Sequence, residues 1–191
     1  MLVDWQIRKA LEDGYASIAP FDEKRLGPVS YDVTLGPEIR TPKHGQPWDY
    51  QNPIDPMEEL LPGQAQREFT DLSGLGPDNG YKLEPGAFIL ACTAERVTLS
   101  REMAARVEGK SSLGRLGIAV HITAGFIDPG FKGRITLEIK NVGPWHIVLR
   151  PGMPIAQIAF TQVERVEQSY GDTGHYQEQP APCESRYRFL R

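Results

Sequence analysis

The chain has 191 residues, a formal net charge of −4 and 40% apolar residues. That length suits one domain with short extensions, and the charge excludes a chain-wide binder of nucleic acid or acidic lipid. The 16 Pro and 19 Gly count against a helical protein and for many short strands and turns.

The chain opens on a predicted helix. Asp4 can cap it, Ile7, Ala10 and Leu11 share a face, and Gly14 can end it. Residues 28–36, Pro-Val-Ser-Tyr-Asp-Val-Thr-Leu-Gly, alternate like a strand closed by Gly. Residues 41–80 are rich in Pro, Gly, Gln and Asp and read as a long surface excursion, with a short helix near Met57–Leu61. From Tyr81 onward the pattern is strand, turn, strand. Strands are predicted at Ala87–Ala91, Arg96–Leu99, Arg134–Ile139, Ile147–Leu149 and Ile155–Phe160, Ile118–Thr123 is β-rich, and Val107 to Lys110 leads into a stretch where Gly and Ser concentrate. Turns fall at Glu84-Pro85-Gly86, Asp128-Pro129-Gly130 and Pro151-Gly152. So many short, closely spaced strands argue for an all-β barrel or jelly roll. The stretch from about Glu167 is polar and reads as a mobile arm.

Two cysteines, Cys92 in an apolar run and Cys183 in a polar tail, make no disulfide framework. Cys92 reads as a small core residue. Neither a signal peptide nor an apolar run long enough to span a membrane is present, so a cytoplasmic protein is expected.

Three segments could carry chemistry. Gly109-Lys110-Ser111-Ser112-Leu113-Gly114-Arg115 gathers cations, hydroxyls and glycines, which suit phosphate oxygens. The order is not that of a P-loop, and a plain polar turn is an equal reading. In Thr123-Ala124-Gly125-Phe126-Ile127-Asp128-Pro129-Gly130-Phe131, Asp128 reads first as a turn residue, and Phe126 and Phe131 as core. His121, on an apolar strand, reads as a satisfied structural histidine. In Ile135-Thr136-Leu137-Glu138-Ile139, Thr136 and Glu138 share one face and the aliphatics the other. Glu138 faces either solvent or a cavity. In a cavity, desolvation favours its neutral form and suits it to acid/base work. The His-x-Glu and Pro-Cys-x-x-Cys pattern of zinc deaminases is missing: Pro182-Cys183 has no second cysteine three residues on.

In this order, the segments resemble the dCTP deaminase branch of the dUTPase superfamily. Leu26–Gly36 is similar to its early strand, and Gly109–Gly117 to its Gly-[Lys/Arg]-Ser-Ser-Leu-[Gly/Ala]-Arg-Leu-Gly motif. Thr123–Glu138 is similar to its Ile-Asp-x-Gly-[aromatic]…Thr-Leu-Glu segment, and Pro151–Ile158 to its Pro-Gly-x-x-Ile-[Gly/Ala]-Gln strand. Tyr170…His175-Tyr176-Gln177-Glu178-Gln179 follows its Tyr…Lys-Tyr-x-x-Gln tail, with His175 replacing the lysine. Histidine is only partly charged near neutral pH, so the tail's phosphate grip is expected to be weaker or pH-dependent.

The resemblance implies a mainly β, dUTPase-like distorted jelly-roll or β-clip barrel over residues 1–166, with a short N-terminal helix. It implies a C-terminal arm, 167–191, over the active site, and a homotrimer with sites between subunits. Glu138 would activate water for attack at cytosine C4, with Ser111, Arg115 and the Ala124 carbonyl holding that water. Lys110, Ser111 and Ser112 would hold phosphates, within a binding loop that includes Leu113 and Gly114. Asp128 would take the 3′-hydroxyl and Phe131 would pack on the sugar. Thr136 and Leu137 would line the site beside Glu138, and Gln157, Tyr170, His175 and Gln179 would reach the nucleotide. Gly125-Phe126 resembles the bifunctional, dUMP-forming subgroup, with Asp128 orienting a second water at the α-phosphorus. Mg²⁺ would be held by the triphosphate, not by a protein cage. The expected partners are dCTP and dUTP, with dTTP as a feedback inhibitor. The competing readings are a deaminase that stops at dUTP, a plain dUTPase and a non-catalytic nucleotide-binding regulator.

Overall fold

In the computed structural model, residues 1–42, 73–74, 80–183 and 185 are described, beginning with the helix α1 at Asp4–Glu12. Asp4 is its first helical residue rather than its cap. The Gln6 Oε1 atom accepts from the Val3 N–H at 3.0 Å, and Asp4 is occupied by the Trp5 N–H at 2.7 Å. Ile7 and Ala10 are buried, and the Gly14 N–H closes the end on the Leu11 carbonyl with φ of +77°.

The strands are β1 (Ala16–Ala19), β2 (Tyr31–Arg40), β3 (Ser73–Gly74), β4 (Tyr81–Leu83), β5 (Phe88–Leu99) and β6 (Met103–Gly109). Then come β7 (Ile118–Ala119), β8 (Phe126–Ile127), β9 (Lys132–Asn141), β10 (Ile147–Leu149) and β11 (Pro154–Gln162). The main sheet runs β7-β9-β5-β2-β11-β6-β8, with β1 on β5 and β3 on β2, while β10 and β4 form a separate ribbon. All pairings are antiparallel, and the sheet curls into a half-barrel. The mainly β expectation with a short N-terminal helix is met. The helix expected near Met57–Leu61 lies outside the described residues, as does most of 41–80.

The two strands expected over 87–99 are one strand. The polar atoms of Thr93 and Glu95, between them, are buried and bonded. The pairing with β9 shifts register between Cys92 and Arg96, as at a bulge. Thr93 Oγ1 donates to the Glu95 carbonyl and accepts from the Ile135 N–H. The wholly buried Glu95 carboxylate accepts from the Thr34 N–H and hydroxyl and pairs with Arg25. Each buried polar atom therefore has a partner, which its burial demands. Two further corrections concern short segments. Only Ile118 and Ala119 of the β-rich stretch at 118–123 are paired, and the polar turn after Lys110 is a one-turn helix, α2, at Ser111–Gly114.

Alternation on β9 sets the rest. Leu137 and Ile139 are fully buried and Ile135 nearly so, while Arg134, Thr136 and Glu138 lie on the half-buried face. Each buried aliphatic contributes about 1.5–3 kcal/mol, so the core face fixes the register that presents Glu138 outward.

The segment 110–131 crosses between two parts of the sheet. After β6 it forms α2, pairs with β9 through Ile118 and Ala119, then returns to β6 through Phe126 and Ile127. The Asp128 turn delivers it to β9, with Gly130 at φ of +85° and the Phe131 N–H on the Asp128 carbonyl.

The described part of the polar stretch after Glu167 is docked, not loose, from Tyr170 to Gln179. It contains a one-turn helix, α3, at Tyr170–Thr173. The Tyr170 N–H donates to the Pro129 carbonyl, the Glu178 N–H to that of Lys132, and the Arg134 N–H to that of Gln179. Two glycines make room. A Cβ on Gly130 would meet Ser169 at 2.7 Å, and one on Gly133 would meet the Gln179 nitrogen at 3.2 Å.

Candidate active site

Two groups of polar side chains flank the crossing segment. The first lies where β2, β6 and β11 run side by side. Asp32 and Glu108 are both register partners of Gln157. The Gln157 carboxamide accepts from the Ser30 hydroxyl at 2.9 Å and donates to the Gly109 carbonyl at 3.1 Å. Lys110, next in the chain, donates to Asp32 at 2.6 Å. The expected residues Lys110 and Gln157 thus meet, with Ser30 and Asp32 joining them. Sequence reasoning missed these last two as site residues. The available signal was a polar face on β2, between the buried Tyr31 and Val33, opposite a segment carrying a lysine.

From this anchored base, α2 projects into solvent. Ser111, Ser112, Gly114 and Arg115 are exposed, while Leu113 packs on the core. Among the described residues, the Arg115 guanidinium and the two serine hydroxyls have no hydrogen-bond or ion-pair partner. An unpaired planar cation beside free hydroxyls suits a phosphate or carboxylate oxygen.

The second group centres on β9. The half-buried Glu138 carboxylate accepts from the Ile122 N–H at 3.3 Å, tying it to the crossing segment just before Ala124. Gly125 docks that segment on β6. The Val107 N–H donates to its carbonyl at 2.8 Å, and a Cβ there would meet the Val107 carbonyl oxygen at 3.1 Å and the His121 ring at 3.4 Å. Phe126 is 71% exposed, not a core residue, and Arg106 covers its ring at 4.9 Å from the centroid. Arg106 and Phe126 are cross-strand partners, so the contact follows from the register. Asp128 is exposed, with no side-chain partner among the described residues. His121 departs from expectation, since its Nδ1 is buried without a hydrogen bond among the described residues.

Thr136, two positions before Glu138 on the same face, donates to the Gln179 Oε1 atom at 3.0 Å. The Gln179 Nε2 atom is buried and has no partner among the described residues. Phe131 is buried as expected of a core residue, with its ring 5.8 Å from that of Tyr170. The Leu137 side chain is wholly in the core, and its backbone is paired with Ala91 in the sheet. His175 is exposed. No hydrogen bond or ion pair among the described residues joins Glu138 to Ser111, Arg115 or Asp128. Those groups stand on α2 and the turn, and Glu138 on β9.

Behind this face, Arg134 donates to Glu38 at 3.1 Å, and Cys92 lies 3.9 Å from Glu38. Burial, helped by Glu38, pushes the Cys92 thiol up to about 11. This thiol is inert, as expected of a core cysteine. Neither Cys92 nor Cys183 is in a disulfide.

A mainly β half-barrel with an unpaired cation, free hydroxyls and a half-buried carboxylate defines a candidate site for an anionic, polar ligand. Comparison with known proteins is specific. The family model described as dCTP deaminase-like matches residues 1–163. A protein of Tropheryma whipplei (strain Twist) named "dCTP deaminase, dUMP-forming" is 43% identical over 189 residues, covering 97% of this chain and 91% of that one. One of Bifidobacterium animalis subsp. lactis with the same name is 44% identical over 190 residues, covering 97% and 93%. The crystal structure of 2′-deoxycytidine 5′-triphosphate deaminase from Agrobacterium tumefaciens superposes with a TM-score of 0.61 at 26% identity. It covers 83% of this chain, which spans 47% of that one. The chain belongs to the dCTP deaminase-like family.

Proposed function

We propose that the protein deaminates dCTP and goes on to dUMP, so that dCTP and two waters give dUMP, diphosphate and ammonia. The observation that carries this reading is Glu138. It is a half-buried carboxylate held by the Ile122 N–H beside the segment that bears Ala124, Gly125, Phe126 and Asp128. The near full-length relatives named for a dUMP-forming deaminase support it.

Glu138 takes a proton from a water as that water's oxygen attacks C4 of the cytosine. The Ser111 hydroxyl, Arg115 and the Ala124 carbonyl orient the water and the tetrahedral centre. Donors placed for such a centre contribute about 2.7–4 kcal/mol each. Glu138 then returns the proton to the amine, the C4–N bond breaks and ammonia leaves a uracil ring. Asp128 orients a second water at the α-phosphorus, which expels diphosphate. Lys110, Ser111 and Ser112 bind phosphates, and Gln157 holds the Gly109–Lys110 backbone in place for them. Phe131, with Tyr170, walls the sugar. Leu113, Gly114, Thr136 and the Leu137 backbone shape the pocket, and His175 reaches the phosphate tail. Gly125 and Phe126 set the dUMP outcome.

Mg²⁺ would be held by the oxygens of the nucleotide's triphosphate, where it would offset phosphate charge. Asp32 is already paired with Lys110 and Asp128 is a lone exposed carboxylate, so phosphate and water oxygens fit as its ligands better than a protein cage. A homotrimer completes the site. Leu116, Ile122, Phe126, Val142 and Trp145, all exposed apolar residues on or beside the crossing segment, support such burial. dTTP, as a pyrimidine triphosphate, competes as a feedback ligand. Two cysteines outside any disulfide fit a reducing compartment such as the cytoplasm.

Chromatography of products from dCTP and from dUTP with Mg²⁺, with ammonia measured alongside, tests the reading. We expect dUMP, diphosphate and ammonia from dCTP without build-up of dUTP. Accumulating dUTP sinks the second step. dUMP from dUTP with no ammonia from dCTP makes it a dUTPase. Tight binding without turnover makes it a regulator.

A further inference from the structure

The arm is held by an unusual residue. Glu178 has φ of +57°, the single positive value at a non-glycine residue among those described. A left-handed backbone costs a side-chain-bearing residue about 1–3 kcal/mol, and persists where its surroundings impose it. Those surroundings are explicit. The Glu178 carboxylate pairs with Arg96 and lies 2.8 Å from the Lys132 ammonium. Its N–H donates to the Lys132 carbonyl at 2.7 Å. The preceding Gln177 is stitched to the Asp128 turn, with Oε1 accepting from the Lys132 N–H at 2.7 Å and Nε2 donating to the Gly130 carbonyl at 2.8 Å.

The next residue is Gln179, whose carboxamide oxygen is taken by Thr136 while its Nε2 is buried and unpartnered. Leaving a buried donor unmade costs about 1–3 kcal/mol. Such an arrangement makes sense where a ligand atom completes the bond. The left-handed turn at Glu178 is what carries the chain from the Lys132 contact to the Gln179 insertion, over Gly133, where a Cβ would crowd the Gln179 nitrogen at 3.2 Å.

We infer that Glu178 is a positioning residue. Its carboxylate, clasped by Arg96 and Lys132, locks the arm so that Gln179 Nε2 is presented to an acceptor oxygen of the bound nucleotide beside Thr136 and Glu138. The inference rests on the nucleotide-hydrolase reading above. The carboxylate acts through the arm and touches no substrate. The pairs are largely solvent-exposed, so the lock is modest and weakens with salt.

The test compares wild type, Glu178→Gln and Glu178→Gly in the full chain. KM and kcat for dCTP are measured, together with hydrogen exchange of the Glu178 and Arg134 amides in the free protein. Gln keeps the size and removes the charge. Gly relieves the backbone cost and also removes the charge. Both variants are expected to raise KM about three- to tenfold, with kcat within about twofold, and to speed exchange at both amides by a similar factor. Glu178→Asp is expected to recover part of the loss. High salt should raise wild-type exchange toward that of Glu178→Gln and leave the variant nearly unmoved. A wild-type KM in Glu178→Gly overturns the lock, as does faster exchange without a change in KM. If wild type releases no ammonia from dCTP, the functional reading fails. The exchange contrast still judges the lock.

Discussion

The two polar groups differ in what satisfies them. Around Gln157, every named side chain has a protein partner: Ser30 and Gly109 hold Gln157, and Asp32 holds Lys110. On α2, at the Asp128 turn and on the arm, by contrast, groups wait. Arg115, the hydroxyls of Ser111 and Ser112, Asp128 and the Gln179 Nε2 atom lack partners among the described residues. The first group is a foundation, whose bonds are spent on fixing backbone. The second is a set of valences left for a ligand. The lesson is one of preorganisation: the fully bonded strands carry the open groups, so binding does not have to order them.

The largest predicted effect falls on the open side. Glu138→Gln should lower ammonia release by about 10²–10⁴-fold, since a carboxamide cannot take the water's proton. Calorimetric titration with dCTP should show binding within a few-fold of wild type. Release near the wild-type rate would break the contrast between open and bonded groups. Arg115→Ala comes next. Removing an unpartnered cation should cost kcat/KM about 10²-fold while leaving urea stability within about 0.5 kcal/mol. A large stability loss would show that Arg115 belongs to the foundation after all.

Leu137→Ala, one residue from Glu138 but facing the core, should do the reverse. It should cost about 2–5 kcal/mol of unfolding free energy. An unchanged urea midpoint would contradict the placement of that side chain. Asp32→Asn sharpens the foundation. Freeing Lys110 should cost about 1 kcal/mol or less, because the pair is partly exposed. It should act on KM for nucleotide more than on kcat.

The smallest effect is alkaline. The Cys92 thiol is raised to about 11 by burial, from an ordinary value of 9.0, and Tyr31 and Tyr81 are raised by burial too. The unfolded chain loses these protons first, so between about pH 9 and 11 it binds fewer protons than the native state. Stability must therefore fall as pH rises through that window. Cys92→Ala should flatten part of the fall in a urea series. An unaltered slope would show that the thiol ionises equally well in both states.

Legibility in the sequence followed the kind of force at work. β10 at Ile147–Leu149 and the alternation of β9 were readable because burial on one face imprints a period of two. The 12-residue β5 was read as two strands because Thr93 and Glu95 look polar. Their bonds to Ile135, Thr34 and Arg25 come from residues 42, 61 and 70 positions away. The docking of the arm was hidden for the same reason. Gly130 reads as a turn glycine, and nothing local says that the missing Cβ atoms of Gly130 and Gly133 admit residues 169 and 179. Among the site residues, Glu138, Thr136, Lys110 and Gln157 were legible as motif members. Ser30 and Asp32 stand in a readable strand, but their task is set by partners on other segments, Gln157 and Lys110.

The ribbon from Lys110 to Phe131 visits one margin of the curled sheet, then the other, before it becomes β9. A change in its length cannot be absorbed locally, as it would be in a hairpin tip. It would drag both seams out of step and shift α2 relative to Glu138 at the same moment. Natural variation should therefore enter this stretch by exchange of side chains, not by insertion.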